Sequence, residues 1–539
     1  MATSRAFLTT TRPRRTATLP TRITARSLIT GPPPSVPPIH GTHETPTSTP
    51  LPAPVPHARQ EDGKPLYVSG SQAERQARAG RMSSPLRRGT HESWWTPEMG
   101  FFNAVAKTIP TFRVLDEEGH LVRGAHIPEV CDHLSWLQGV FTEVHHRSAR
   151  TRQSGCKDLA LQGRGGRSHL PCRYHIMTLV PIVDNVLYQS QRQGRISFYM
   201  QCAGEEAATV GSAAAMLPND EMYGQYREQA ALLYRGFPLK DMMAQCFGNV
   251  EDEGTKGRMM PVHYNAPDLG FHQITSPLAT QMPQAAGAAY AIKLDENRQG
   301  DCVICYFGDG AASEGDFHAA LGMNSVLGGP CIWFCRNNGF AISTPIIDQY
   351  AGDGIASRGP GYGLDTIRVD GNDALGVLSA VREARRRAVE GKKGVLVEAM
   401  TYRVGHHSTS DDSSKYRPME EVQEWTVVDN PLHRFRAFLV ARGWWSEAEE
   451  AALLKKNKSE VLKTFSRAEK LPKPKLGEMF NDVWAVQKGE EMPSVISEQR
   501  AELGRLLKKY GDVWAPWRKE RKRFVEEGED VMDCDGRGA

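Results

Sequence analysis

The sequence has no hydrophobic run approaching the roughly 20 residues that a membrane-spanning helix needs, so no span is expected. It lacks a strong charge of either sign. The formal net charge is +3 over 539 residues, and nothing global points to nucleic acid. Cysteine is sparse, ten in all, which argues against a disulfide scaffold. Cys302-x-x-Cys305 and Cys331-x-x-x-Cys335 imitate a zinc site, yet both pairs fall inside apolar runs. Cys302 and Cys305, three apart, would face opposite sides of a sheet, which makes them core residues and not ligands. The sharpest local absence is of acid. Residues 1–43 contain no Asp or Glu, while Arg5, Arg12, Arg14, Arg15, Arg22 and Arg26 stand among many Ser and Thr. That composition predicts a mitochondrial transit peptide over residues 1–30.

Residues 31–98 are Pro-, Thr- and Ser-rich, then polar and Arg-rich, and read as a disordered linker. An N-terminal arm follows over 99–130, with a short strand and turn at 111–119. Residues 131–173 lose apolar periodicity and become rich in Gly, Arg, His and Ser. A structureless loop of that length does not suit a compact domain. It reads as an atypical insert, unspliced non-coding sequence carried into the translation, with a genuine surface insertion as the alternative. Cys131, His133, Cys156, His169 and Cys172 within it are too irregularly spaced for a zinc site.

From Tyr174 the patterning of an α/β domain runs to residue 430. A helix should lead to a strand over 192–200, followed by helices over 209–215, 232–247 and 287–294. Ala, Leu and Val spaced on one face, with Arg outside, predict a helix over 374–389. Residues 395–400 read as the next strand. Beyond 431 the amphipathic stretches 435–440, 447–465 and 495–510 suggest a helical tail used in assembly.

The stretch that organises the rest is 302–338. An apolar run ends in Gly308-Asp309-Gly310, a helix-like segment follows, and a second apolar run ends in Arg336-Asn337-Asn338. This is one βαβ unit of a parallel sheet, with helices expected on both faces. Glycines at a strand's carboxyl end let a diphosphate approach the backbone, and the next helix start favours negative charge. Asp309 and Asn338 should lie at the ends of adjacent strands, where open α/β sheets bind ligands. A carboxylate and a carboxamide are hard oxygen donors suited to Mg²⁺.

The Gly-Asp-Gly turn and the Asn-Asn pair at this spacing resemble the motif of thiamine-diphosphate enzymes. With Thr275-Ser276-Pro277-Leu278-Ala279-Thr280-Gln281 and Gly405-His406-His407-Ser408-Thr409-Ser410-Asp411-Asp412, the chain is similar to α subunits of branched-chain 2-oxo acid dehydrogenases. The resemblance covers about residues 174–443 and, loosely, the tail. It implies the diphosphate-binding half of the thiamine-diphosphate fold. It also implies Mg²⁺ held by Asp309, Asn338 and the backbone of Phe340, where the family has Tyr. Cofactor contacts carried over are Gln225, Tyr226, Arg227, Ser276, Leu278, Gly308, Asp309, Gly310, Ala311, Arg336, Asn338 and His407. A guanidinium can pair two oxygens of one phosphate, which suits Arg227 and Arg336. Thr275, Pro277, Thr280 and Gln281 match a K⁺ site, His407 and Arg403 the catalytic loop, and Ser408 a regulatory phosphorylation site. A second phosphosite of the family is lost, because Pro418 follows Arg417.

The family's pyrimidine-activating Glu has no counterpart here. The resemblance therefore implies a separate β subunit in a heterotetramer of two α and two β chains. It also implies a lipoyl-bearing acyltransferase core, a regulatory kinase and phosphatase, and the mitochondrial matrix as location. The implied reaction is oxidative decarboxylation of 3-methyl-2-oxobutanoate and its relatives, with acyl transfer to lipoyl, in catabolism of Val, Leu and Ile. A pyruvate dehydrogenase α subunit is the alternative, though its loop reads His-Gly-His-Ser; a non-catalytic assembly paralogue is another.

Overall fold

The computed structural model describes residues 95–96, 99, 109–125, 169–350 and 352–480, and beyond them 483–485, 492–510 and 513. The expected transit peptide, most of the linker, and the insert with its Cys131, His133 and Cys156 lie outside these residues. Among the described residues no helix is long and apolar enough to cross a membrane.

Two long buried strands make the centre: β5 (Val303–Gly308) and β6 (Cys331–Asn337), paired in parallel with Gly308 opposite Arg336. Before them in the chain come β1 (Trp95–Thr96), β2 (Thr111–Phe112), β3 (Glu221–Tyr223) and β4 (Phe271–His272). After them come a small antiparallel pair, β7 (Phe340–Ala341) and β8 (Thr344–Pro345), and then β9 (Asp365–Asp370) and β10 (Gly394–Met400). The main sheet has eight strands in the order β1-β2-β9-β10-β6-β5-β3-β4, each paired in parallel with its neighbours. The expected α/β class is thus observed.

Alternation divides the side chains between two cores. Cys302, Ile304 and Tyr306, with Ile332 and Phe334, pack on one face. Val303, Cys305 and Phe307, with Cys331, Trp333 and Cys335, pack on the other. Both faces are apolar because both are covered, as all-parallel sheets require. Helices α1 (His169–Arg192), α2 (Glu206–Ala213), α3 (Gln229–Tyr234) and α4 (Leu239–Phe247) contribute to the first face. The second is covered by α5 (Gln281–Leu294) and α6 (Gly315–Leu327). After α7 (Ile346–Gln349) comes α8 (Ala374–Gly391), which Asp373 starts by accepting a hydrogen bond from Leu375 N at 3.0 Å. The other oxygen of Asp373 accepts from Val114 N and Leu115 N, tying the N-terminal arm to the same corner.

Three expectations need correction. Residues 232–247 form two helices, because Gly236 takes φ +97° and Pro238 cannot continue a helix from its predecessor. Residues 192–200 form no strand. Their backbone turns away from the sheet, and Tyr199 exchanges hydrogen bonds with Thr409 instead. The irregularity attributed to residues up to 173 stops sooner, since α1 begins at His169 and Arg173 is already buried. Beyond α9 (Met419–Val427), the helices α10 (Pro431–Ala441) and α11 (Glu447–Lys470) follow, with α12 (Ser494–Tyr510) last. The apolar core does not pause at residue 431. Phe435, Phe438, Leu453, Val461 and Phe465 join the same cluster as the sheet's first face.

Candidate active site

The carboxyl ends of β5, β6 and β10 converge, and each delivers polar residues there. Asp309 follows β5, Asn338 follows β6, and the loop from Tyr402 to Ser413 leaves β10. Asp309 is buried and accepts a hydrogen bond from Gln349 Nε2 at 2.7 Å. Burial pushes its carboxyl up to about 6, against the partial relief of Gln349 and the Arg403 charge. Asn338 gives its Nδ2 hydrogen to Glu205 Oε1 at 2.8 Å. Its Oδ1 receives only a long 3.3 Å contact from Phe340 N. The Phe340 carbonyl accepts just as weakly from Arg403 Nη1, at 3.5 Å. Three hard oxygens at the ends of the paired strands β5 and β6 are therefore under-bonded among the described residues, a donor set that fits a small divalent cation.

Guanidinium groups surround the same place. Arg227 donates from Nη2 to the His407 carbonyl at 2.6 Å and lies 3.3 Å from His407 Nδ1. Arg403 Nη1 approaches that ring nitrogen at 3.4 Å, while its Nη2 bonds the Ile342 carbonyl and Tyr416 Oη. Burial, and then the Arg227 and Arg403 charges, hold the His407 imidazole down at about 3, with Asp411 opposing them. His407 is thus a neutral ring over which Tyr226 packs edge-on, 6.2 Å between centroids. Its backbone N–H is pinned by Asp411 Oδ2 at 2.8 Å, and Tyr416 donates to that same oxygen at 2.6 Å. Arg336 faces the other way: buried, it pairs with Glu205 and with Glu228, the latter at 2.6 Å. The Nε atoms of Arg336 and Arg403 are buried without a hydrogen-bond partner among the described residues. Buried guanidinium donors lacking acceptors suit a multiply charged anion such as a diphosphate.

Other sequence-derived residues fall into two groups. Gln225 is joined to the glycine turn, its Oε1 accepting from Gly308 N at 2.8 Å. Gly310 sits where a Cβ would meet Ala341 at 2.7 Å, so only glycine lets β7 close over this turn. Ala311 is buried in the short 3-10 turn just beyond. The 275–281 turn is more remote. Ser276 Oγ bonds His263 Nε2 at 2.8 Å, Leu278 is 39% exposed, and Thr280 N contacts the Pro277 carbonyl at 3.5 Å. Gln281 Nε2 ties the turn to the Tyr306 carbonyl of β5 at 2.9 Å. Thr275 Oγ1 is buried without a partner among the described residues, and Ala279 takes φ +66°, features that fit a monovalent cation gathered by hydroxyl and carbonyl oxygens. Ser408 is buried, with its Oγ accepting from Ser410 N at 3.2 Å.

Sequence reasoning passed over Glu205, Glu228, Gln349 and Tyr416 and named Asp411 only as part of the loop motif, yet all five touch site residues. One signal was available: Glu205-Glu206 opens a helix of small residues whose every position is buried. Two acids cannot lie on a solvent face there.

The sequence profile of the dehydrogenase E1 component matches residues 174–477. The human 2-oxoisovalerate dehydrogenase subunit alpha, mitochondrial, is 54% identical over 340 residues, covering 63% of this chain and 74% of that protein. The Caenorhabditis elegans protein of the same name is 52% identical over 337 residues, covering 62% and 76%. The Arabidopsis thaliana subunit alpha 1 is 43% identical over 423 residues, covering 78% and 80%. With the site geometry, these likenesses establish that the chain belongs to the dehydrogenase E1 component family.

Proposed function

We propose that this chain is the α subunit of a mitochondrial branched-chain 2-oxo acid dehydrogenase. It carries the diphosphate and metal half of a thiamine-diphosphate site in oxidative decarboxylation of 3-methyl-2-oxobutanoate and its relatives. The acyl group passes to the lipoyl group of an acyltransferase core. The observation that carries this reading is the meeting of under-bonded oxygens of Asp309, Asn338 and Phe340 with the arginine-held His407 loop at one sheet end. The relatives' names supply the substrate class and the mitochondrial compartment, and we extend these to the matrix.

Bound thiamine diphosphate supplies the carbanion chemistry, and the protein supplies orientation and electrostatics. Asp309, Asn338 and the Phe340 carbonyl would hold Mg²⁺, and Thr275, Pro277, Thr280 and Gln281 would hold K⁺. Gln225, Tyr226 and Arg227 would meet the diphosphate beside Gly308. Arg336 would reach it by giving up part of its hold on Glu205 or Glu228. His407, kept neutral by burial and by its two arginine neighbours, can hydrogen-bond the reacting group at neutral pH without adding a competing cation. Arg403 orients that ring and closes the loop onto Phe340 and Ile342. A β subunit, in a two-plus-two heterotetramer, supplies the pyrimidine-activating carboxylate. A kinase and a phosphatase act at Ser408.

The test is reconstitution. The chain alone should decarboxylate no branched-chain 2-oxo acid, and mixing with its β subunit should restore turnover of 3-methyl-2-oxobutanoate well above pyruvate. Thiamine-dependent decarboxylation by the chain alone, or a preference for pyruvate, would overturn it.

A further inference from the structure

A carboxamide carries an oxygen and a nitrogen on nearly equal arms, and only the oxygen can hold a cation. In Asn338 that choice is made by Glu205. One carboxylate oxygen of Glu205 accepts from Asn338 Nδ2 at 2.8 Å, and the other from Arg336 Nη1. Glu205 has no solvent exposure and lies 4.0 Å from Arg227 Nε. Its backbone is fixed as tightly as its side chain. The preceding Gly204 has φ +96° and sits where a Cβ would be 2.1 Å from the Tyr402 carbonyl, while Thr401 Oγ1 bonds the Gly204 carbonyl at 2.9 Å. The strand end that launches the His407 loop therefore also seats this carboxylate.

Resting on the reading of Asp309 and Asn338 as cation ligands, we propose that Glu205 is the positioning residue of that site. By taking the Asn338 N–H, it turns Oδ1 toward the cation and couples the ligand's orientation to Arg336. A counterion for Arg336 is already present in Glu228, whose Oε1 accepts from Arg336 Nη2 at 2.6 Å. Outer partners of this kind commonly alter metal affinity 10–100-fold when removed.

The experiment uses the assembled α–β protein. Mg²⁺ is titrated at fixed thiamine diphosphate, binding is followed by quenching of tryptophan fluorescence, and melting is recorded in parallel. Glu205→Gln should raise the Mg²⁺ midpoint about tenfold. Adding Asn338→Asp to Glu205→Gln reverses donor and acceptor, leaves one Asp oxygen for the cation, and should bring the midpoint back to within about threefold of wild type. Glu228→Gln removes the other partner of Arg336 and should lower the melting temperature with little movement of the midpoint. If Glu205→Gln alone fails to assemble, the double variant carries the test through its own assembly and midpoint. A wild-type midpoint in Glu205→Gln, or no recovery in the double variant, overturns the proposal. Asp309→Ala separates the two readings. Loss of Mg²⁺-dependent binding there with no effect of Glu205→Gln sinks the positioning role alone, whereas unchanged binding in Asp309→Ala sinks the cation site and the inference with it.

Discussion

Two buried carboxylates, carried by the strands that flank β6, meet opposite fates. Glu398, in β10, accepts from Arg368 Nε, Asn337 Nδ2, Ile355 N and Ala356 N, at 2.8–3.1 Å. That set of donors, led by the Arg368 charge, outweighs desolvation and holds its carboxyl below the usual range. Asp309, after β5, accepts from the neutral Gln349 amide and from its own backbone N–H, and burial pushes it up to about 6. Glu398 is finished structure, while Asp309 is a buried acid short of positive charge. Buried polar groups are normally satisfied, so the under-satisfied one marks where a ligand belongs.

The sharpest way to break this contrast is to remove each acid in turn. Asp309→Ala should abolish Mg²⁺-dependent cofactor binding, by more than about 100-fold, with melting of the ligand-free protein unchanged or raised. Glu398→Gln should do the reverse. It leaves Arg368 with Asp353 as its one carboxylate partner among the described residues, at 3.0 Å, and should cost about 3 kcal/mol of stability. Cofactor titration and thermal melting of both variants check it; similar losses of stability in both would erase the distinction.

Next in size is the loop that closes over the site. Ser408 is buried against Asp411 and the His407 backbone, so a kinase acting there, as proposed above, would have to catch the loop open. A phosphate there adds nearly two negative charges beside Asp411 and prevents reclosure. Ser408→Glu should lower turnover with a lipoyl domain by at least about tenfold while cofactor still binds measurably. Normal turnover would show that closure is not the switch.

A smaller effect separates the loop's cationic side from the acid side. His407 stays neutral in the folded, ligand-free protein down to about pH 3 because of burial, Arg227 and Arg403, with Asp411 the opposing charge and Tyr226 packed on the ring. The unfolded histidine takes its proton near pH 6.5. Between these values the unfolded state binds more protons, so stability is full above about 6.5 and falls as pH drops through that window, by up to about 1.4 kcal/mol per unit. His407→Asn should flatten this component. Urea unfolding at pH 7 and pH 5 should differ by about 1–2 kcal/mol less in the variant; an unchanged difference would mean the imidazole is not held neutral.

How legible was all this in the sequence? The central strands were, because 302–307 and 330–335 are continuous apolar runs bounded by Gly and Asn. Alternation even separated Cys302 from Cys305 into different cores. β9 was missed because Asp365-Thr366-Ile367-Arg368-Val369-Asp370 looks half-solvated; its charges are buried and paired with Glu398, Arg434 and Lys393. The site residues carried by motifs were found, whereas the carboxylates that face them from α2 and α3 were not. Glu205 is far from those motifs in sequence and is brought in where Gly204 packs against the strand end after β10, whereas Glu228 directly follows Arg227 and only the fold shows that it faces Arg336. Arg336 shows the limit most plainly: its residue type suggested a phosphate clamp, and its neighbours hold it as half of a buried ion network.

The smallest expected effect lies at Phe340, where the family carries Tyr. The ring packs edge-on to Tyr402 at 6.1 Å and lies near the Arg403 and Arg417 guanidinium carbons, at 5.9 and 5.5 Å. Either aromatic ring offers a similar negative face to these cations. What would meet the metal is the backbone carbonyl, and a side-chain hydroxyl does not change its field. Phe340→Tyr should therefore alter cofactor affinity less than about twofold and stability by under about 1 kcal/mol, since nearby Tyr416 and the arginines give the added hydroxyl polar company. Phe340→Ala is different. It strips the surface on which Arg403 and Arg417 rest, loosens the 338–342 turn that Ile342 holds at φ +56°, and should weaken binding about tenfold. Cofactor titrations of the two variants decide the matter. A tenfold loss in Phe340→Tyr would mean that the ring's outer edge, and not the carbonyl behind it, borders the bound group.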